Sequence, residues 1–195
     1  MTHQYQAIVI GTSAGGLEAL SYLFAQLTEL TIPVIVVQHL SPNYDSKLAN
    51  ILNEKATMLV QQVQDKEKIL PGRIYIAPPN YHLLIEKDYT FSLSGDEKVN
   101  FSRPAIDVLF ETAADAFRDT LIGVLLTGAN CDGAKGLLAI KNHGGYTIIQ
   151  SPTEAYAKEM PESALRLLTP NSVLCLTEIS ALLSTKLKIQ KQDQQ

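Results

Sequence analysis

Apolar residues fall in short unbroken blocks along this chain, and the blocks alternate with segments whose apolar positions recur at helical spacing. Ala7-Ile8-Val9-Ile10 is the first block. It is too short for a core helix and rich in β-branched residues, so it reads as a strand buried on both faces. After Gly11-Thr12-Ser13-Ala14-Gly15-Gly16 the period changes, and Leu17, Leu20, Tyr22, Leu23, Phe24 and Leu27 make a broad apolar helix face. Ile32 to Gln38 is a second strand that delivers His39 at its end; Ser41-Pro42-Asn43 then turns into a helix from about Ser46 to Asn53. Met58 to Val63 and Arg73 to Ala77 are further strands, the second stopped by Pro78-Pro79-Asn80. His82 to Ile85 and Tyr89 to Leu93 read as a hairpin joined through Glu86-Lys87-Asp88, a turn without the favoured Gly.

Beyond the polar loop from Ser94 to Ser102, Pro104 is expected to start a helix carrying Ile106, Leu109, Phe110 and Ala113. Leu121 to Thr127 is a strand that runs into Gly128-Ala129-Asn130-Cys131-Asp132-Gly133 and a helix from Ala134 to Asn142. Tyr146 to Gln150 and Val173 to Leu176 are strands, separated by a helix from Pro161 to Leu168; Glu178 to Ile189 is the last helix. Strands alternating with helices predict an α/β fold. Its architecture is a doubly wound, mostly parallel sheet with helices on both faces and the hairpin as an antiparallel addition. The expected organisation is a single catalytic domain over 1–189 with a polar C-terminal tail over 190–195.

Composition narrows the function classes. The 195 residues are 46% hydrophobic and 18% charged, enough to bury a large core, and a net charge of −4 argues against nucleic acid as a partner. No apolar run approaches the roughly 18 residues of a membrane span, and the first residues lack a basic-then-apolar signal, so a cytoplasmic protein without membrane insertion is expected. Cys131 and Cys175 are too few for a disulfide framework, and no Cys/His spacing suggests a metal site. No cofactor is expected: Ser13 stands where a dinucleotide fingerprint needs its second Gly, and no phosphate-binding loop occurs.

Three strand ends carry reactive groups: Ser13, His39 and Asp132. In a parallel sheet these ends share one edge, where ligands of α/β folds bind. A serine hydroxyl attacks only with help. An imidazole takes its proton, and a carboxylate fixes the imidazole's tautomer and stabilises its charged form. Backbone N–H groups after Ser13, or in the Gly128-Ala129 loop, are candidates for holding an oxyanion. Structural roles also fit each residue: Ser13 as a helix cap, His39 as a hydrogen-bonded core residue, Asp132 as an N-cap before Gly133. His82 and His143 read as structural, and Cys131 as inert beside Asp132. Gly11-Thr12-Ser13-Ala14-Gly15 also fits a nucleophile elbow of α/β-hydrolases. However, the serine falls on the first strand, and the acid follows the histidine.

Taken together, several collinear segments resemble the catalytic domain of the chemotaxis protein-glutamate methylesterases, the CheB-type enzymes. They are Gly11-Thr12-Ser13-Ala14-Gly15-Gly16-Leu17-Glu18-Ala19-Leu20, Val37-Gln38-His39-Leu40-Ser41-Pro42, Leu70 to Pro79, Arg103 to Phe110, Leu125 to Gly128 and Asp132 to Gly136, and they span roughly 6 to 180. The resemblance implies Ser13 as nucleophile, His39 as base and Asp132 as acid, on a parallel α/β sheet. It implies a serine carboxylesterase that hydrolyses γ-glutamyl methyl esters on the cytoplasmic helices of a methyl-accepting chemoreceptor, releasing methanol through an acyl-enzyme. Deamidation of receptor glutamines at the same site is a further implied activity. The family's oxyanion donor in the loop before the acid maps to Ala129, with Ala14 as the donor after the nucleophile.

Where many members have Thr after the nucleophile and Met-Gly before the acid, this chain has Ala14 and Ala129-Asn130. Asn at the Gly position is expected to serve by tolerating positive φ. The family's common architecture places a receiver domain ahead of the esterase. With the first strand about six residues from Met1, no receiver is expected in this chain, and any control would come from a separate response-regulator protein, from expression or from the state of the substrate. Two other readings stay open: a receptor-docking module that has lost activity, and a general small-ester hydrolase on the same fold.

Overall fold

A computed structural model describes residues 4–28, 31–39 and 47–192, with side chains to residue 185. In chain order the strands are β1 (Ala7–Thr12), β2 (Val34–Gln38), β3 (Val60–Gln62), β4 (Ile74–Ile76), β5 (His82–Ile85), β6 (Phe91–Ser94), β7 (Leu121–Leu125), β8 (Tyr146–Gln150) and β9 (Ser172–Leu174). The helices are α1 (Gly16–Gln26), α2 (Leu48–Asn53), α3 (Ile106–Phe117), α4 (Ala134–Asn142), α5 (Glu159–Leu167) and α6 (Leu176–Gln192). Seven strands make one sheet in the order β3-β4-β2-β1-β7-β8-β9, and every pair in it is parallel. The expected α/β architecture is therefore present. The hairpin β5–β6 is antiparallel and forms its own two-stranded sheet rather than extending the large one.

Side chains alternate across the central strands, as the strand period of two requires. Ile8, Ile10, Val34 and Val36 pack on one face with Leu20, Leu23 and Phe24 of α1, Leu52 of α2 and Ile179 and Leu183 of α6. Ala7, Val9, Ile35 and Val37 pack on the other with α3, α4, α5 and the hairpin. Both faces are covered, which is why these strands read as unbroken apolar blocks. Gly11 permits a close approach on the second face: a Cβ there would lie 2.3 Å from Cγ2 of Ile106, so the N-terminus of α3 rests directly on β1.

Some elements differ from expectation. Tyr22 is exposed, because α1 turns the opposite flank, Ala19, Leu20, Leu23 and Phe24, into the core. Pro104 does not begin α3; the helix starts at Ile106 after an extended Ala105, where a carboxylate described below takes the first free N–H groups. The last helix continues to Gln192, three residues into the expected polar tail, and 193–195 lie outside the described residues. The Ser41-Pro42-Asn43 turn and the expected helix start at Ser46 also lie outside them.

Candidate active site

β1 and β2 are adjacent and parallel, with Thr12 opposite Gln38, so the residues that follow them emerge side by side at the carboxyl edge. Those residues are Ser13 and His39. The backbone holds both in place: the Ser13 N–H donates to the Thr127 carbonyl at 2.9 Å, and the His39 N–H to the Thr12 carbonyl at 3.1 Å. The buried side chain of Gln38 ties the two turns together, its Nε2 donating to the carbonyls of Ser13 (2.9 Å) and His39 (2.8 Å). Gln38 escaped the sequence reading, where it looked like the end of a strand.

Ser13 is not a helix cap. The N-cap of α1 is Gly15, at φ 78°, with no side-chain hydrogen bond, and among the described residues the Ser13 hydroxyl has no partner. Gly15 serves two purposes there. It takes the left-handed conformation that glycine adopts without strain. It also leaves room for Tyr156, whose Cβ would lie 2.6 Å from a Cβ at position 15.

Asp132 reaches this edge from the loop after β7. It is fully buried, and its Oδ2 accepts hydrogen bonds from His39 Nε2 at 2.8 Å and the Ile106 N–H at 2.6 Å. Its Oδ1 accepts from Asn100 Nδ2 at 2.8 Å and from the N–H groups of Asp107 (3.2 Å) and Gly133 (3.1 Å). Asp132 therefore satisfies the first free donors of α3, not of its own helix α4, whose N-cap is Gly133 without a side-chain bond. Burial pushes its carboxyl upward, but the hydrogen bonds from His39, Asn100 and Ile106 outweigh that and hold it below the ordinary range. A carboxylate can only accept, so the proton of this contact sits on His39 Nε2 and the lone pair on Nδ1.

That lone pair faces Asn130. Asn130 Oδ1 accepts the Asp132 N–H at 3.1 Å, which fixes the carboxamide so that its Nδ2 points at His39 Nδ1, 3.4 Å away. Asn130 is not among the positive-φ residues, so it occupies its position for its side chain rather than for the backbone freedom expected of it. Ala129 is exposed, and neither its N–H nor that of Ala14 donates a hydrogen bond among the described residues. The Ala14 carbonyl accepts from Thr127 Oγ1 at 2.8 Å, which pins the turn after Ser13 to the end of β7.

Asn100 and Asp107 extend the network beyond what the sequence revealed. Asn100 Nδ2 donates to Asp107 Oδ2 at 2.8 Å as well as to Asp132, and Asp107 Oδ1 accepts the Gly136 N–H at 2.7 Å. Burial, together with the neighbouring charge of Asp132, raises the Asp107 carboxyl above its usual range, against the lowering effect of the Gly136 bond. Asn100 lay in a polar loop with no periodicity, 32 residues from Asp132, and no local signal marks it.

The depressed Asp132 carboxyl carries a pH signature with a definite sign. A group ionised more readily in the fold stabilises it above the unfolded value, about 3.9 for Asp, and loses that contribution as pH falls through the folded value. Protonated Asp132 resembles asparagine. The stability gap between the parent and Asp132→Asn in urea titrations is therefore expected to be constant near neutrality and to close below about pH 4. A gap unchanged at pH 3 would contradict the assignment.

The remaining candidates are structural. The buried His82 donates from Nε2 to the Glu97 carbonyl (2.9 Å) and accepts the Ala105 N–H at Nδ1 (3.2 Å). His143 contacts the Ala139 carbonyl and Asp115. Among the described residues, no group of His, Cys, Asp and Glu is placed to hold a metal ion, and no helix is long and apolar enough to cross a membrane. A cleft lined by Tyr5, Ile32, Pro71, Tyr89 and Phe117 lies at the amino ends of the strands, away from Ser13.

The structure is an α/β domain with a doubly wound parallel sheet, in which Ser13 and His39 end adjacent strands and His39 is bonded to the buried Asp132. Comparison with known proteins places the chain in a family. The CheB methylesterase family model matches residues 8–183, and the chain belongs to that family of enzymes. The crystal structure of the Thermotoga maritima CheB methylesterase catalytic domain superposes with a TM-score of 0.88 at 31% identity, covering 93% of this chain and 98% of that one. A Leptospira interrogans relative, provisionally named protein-glutamate methylesterase/protein-glutamine glutaminase, is 49% identical over 91% of this chain and 93% of its own length. A Paraburkholderia xenovorans protein-glutamate methylesterase/protein-glutamine glutaminase is 36% identical over 89% of this chain, which spans only 49% of that longer protein.

Proposed function

We propose that this protein is a cytoplasmic serine esterase that hydrolyses γ-glutamyl methyl esters on the cytoplasmic helices of a chemoreceptor, and deamidates receptor glutamines at the same site. The observation that carries the proposal is the 2.8 Å bond between His39 Nε2 and a fully buried, ionised Asp132, on a histidine that emerges beside Ser13. The names of the relatives, methylesterase and glutaminase, supply the two substrates.

In the proposed reaction Ser13 Oγ attacks the γ-carbonyl carbon, and His39 Nδ1 takes the hydroxyl proton while Asp132 stabilises the imidazolium through Nε2. Asn130 suits this sequence. In the resting state its amide faces the Nδ1 lone pair at 3.4 Å, a long contact that the serine hydroxyl exchanges at little cost. The N–H groups of Ala14 and Ala129, which have no partner among the described residues, hold the oxyanion. Collapse expels methanol, which carries away the proton from His39, or ammonia when the substrate is glutamine. Water then attacks the acyl-serine with His39 again as base, releasing glutamate and restoring Ser13. No step uses a cofactor. A separate response regulator is the proposed source of control.

The proposal is tested by methanol release from a chemoreceptor cytoplasmic fragment methylated in vitro, with p-nitrophenyl acetate alongside. Turnover of the receptor ester far above the simple ester is expected. Hydrolysis of both at similar kcat/KM would make the protein a general esterase, and hydrolysis of neither would make it a docking module.

A further inference from the structure

Two aromatic side chains stand in solvent next to residues of the candidate active site, and one of them occupies a backbone conformation that disfavours it. Val99 and Ser102 pair as a minimal hairpin, the Val99 N–H donating to the Ser102 carbonyl at 3.2 Å and the Ser102 N–H to the Val99 carbonyl at 2.9 Å. The two residues at its tip, Asn100 and Phe101, have φ of 48° and 64°. A turn that needs positive φ at both central positions favours Asn-Gly, and a bulky residue at the second position is strained. Asn100 accounts for itself, since its amide bridges Asp132 and Asp107. Phe101 receives nothing from the fold in return, because it is 96% exposed.

Tyr156 is likewise exposed, at 84%. Its Cβ abuts Gly15, two residues from Ser13, and the next residue is anchored to the end of β7: the Ala157 N–H donates to Thr127 Oγ1 at 2.8 Å, and its carbonyl accepts the Gly128 N–H at 3.0 Å. One ring thus stands beside the nucleophile's turn and the other beside the acid's network, both on firmly held backbone. Strain kept at an exposed position next to a reactive centre points to a use outside the folded chain.

We infer that Phe101 and Tyr156 form a docking rim for the polypeptide substrate, gripping apolar side chains that flank the modified glutamate on a helical receptor segment. The inference rests on the proposed function. A glutamyl side chain delivered to Ser13 must carry its own backbone across this edge, and the two rings are the most exposed large apolar side chains among the described residues. Aromatic side chains supply such anchoring area at low conformational cost.

Phe101→Gly separates docking from folding, because glycine relieves the φ of 64° while removing the ring. The melting temperature is expected to hold or rise. The ratio of kcat/KM for the methylated receptor fragment over that for p-nitrophenyl acetate is expected to fall about tenfold, through KM, and Tyr156→Ala to lower it similarly. A receptor preference that survives both substitutions, or a parallel loss on both esters, would overturn the docking rim and leave the esterase reading standing. Absence of receptor hydrolysis by the parent protein would remove both.

Discussion

Ser13→Ala is expected to lower receptor-ester hydrolysis by roughly four to six orders of magnitude, the loss that follows removal of the nucleophile from a serine–histidine–acid unit. The same substitution is expected to leave stability within about 0.5 kcal/mol, as for a surface change that breaks no contact. The structural reason is specific: the Ser13 hydroxyl caps no helix and has no hydrogen-bond partner among the described residues, while the turn is held by its backbone and by Gln38. Activity at methanol-release assays and the urea midpoint measure the two halves separately. Activity that survives, or a protein that fails to fold, would each remove Ser13 from the role proposed for it.

Asp132→Asn is expected to differ in kind, because it loses both activity and stability. Activity falls about 10⁴-fold, since an amide no longer fixes the proton of His39 on Nε2 or stabilises the imidazolium. Both carboxylate oxygens are surrounded by donors: His39 and Ile106 on Oδ2, Asn100, Asp107 and Gly133 on Oδ1. Whichever way the new amide turns, its NH₂ opposes N–H groups. Breaking a buried charged network of this kind costs about 3–5 kcal/mol, which lowers Tm by roughly 10 °C in a chain of this size. Asp132→Asn with parental Tm would show that the carboxylate does not hold the N-terminus of α3.

The elements that the sequence located correctly are those whose signals are local. Ile8, Ile10, Val34 and Val36 read as strands because both faces of β1 and β2 are covered, so every position is apolar. Ser13 and His39 could be placed on one edge because parallel strands fix the direction in which each ends. What escaped depends on contacts between distant segments. Gln38, Asn100 and Asp107 act through partners that no periodicity reports, and Asn130, which sequence reasoning values for backbone tolerance, instead uses its side chain to bridge Asp132 and His39. Pro104 offered a conventional helix start, but Asp132 binds the N–H groups of Ile106 and Asp107 and sets the start of α3 there. Helical spacing places Tyr22 on an apolar face wider than the flank that α1 buries. Phe101 was invisible because its strain is a property of two backbone angles in a polar loop.

The central claim is that Ser13 is a nucleophile whose proton passes to a histidine held by Asp132. Incubation with a serine-directed fluorophosphonate followed by peptide mass spectrometry tests it most directly. One adduct per chain, on the peptide carrying Ser13, is expected in the parent protein, with labelling abolished in Ser13→Ala and strongly slowed in His39→Ala. A Ser13 peptide that stays unmodified, or one that is labelled just as fast without the imidazole, would contradict the account.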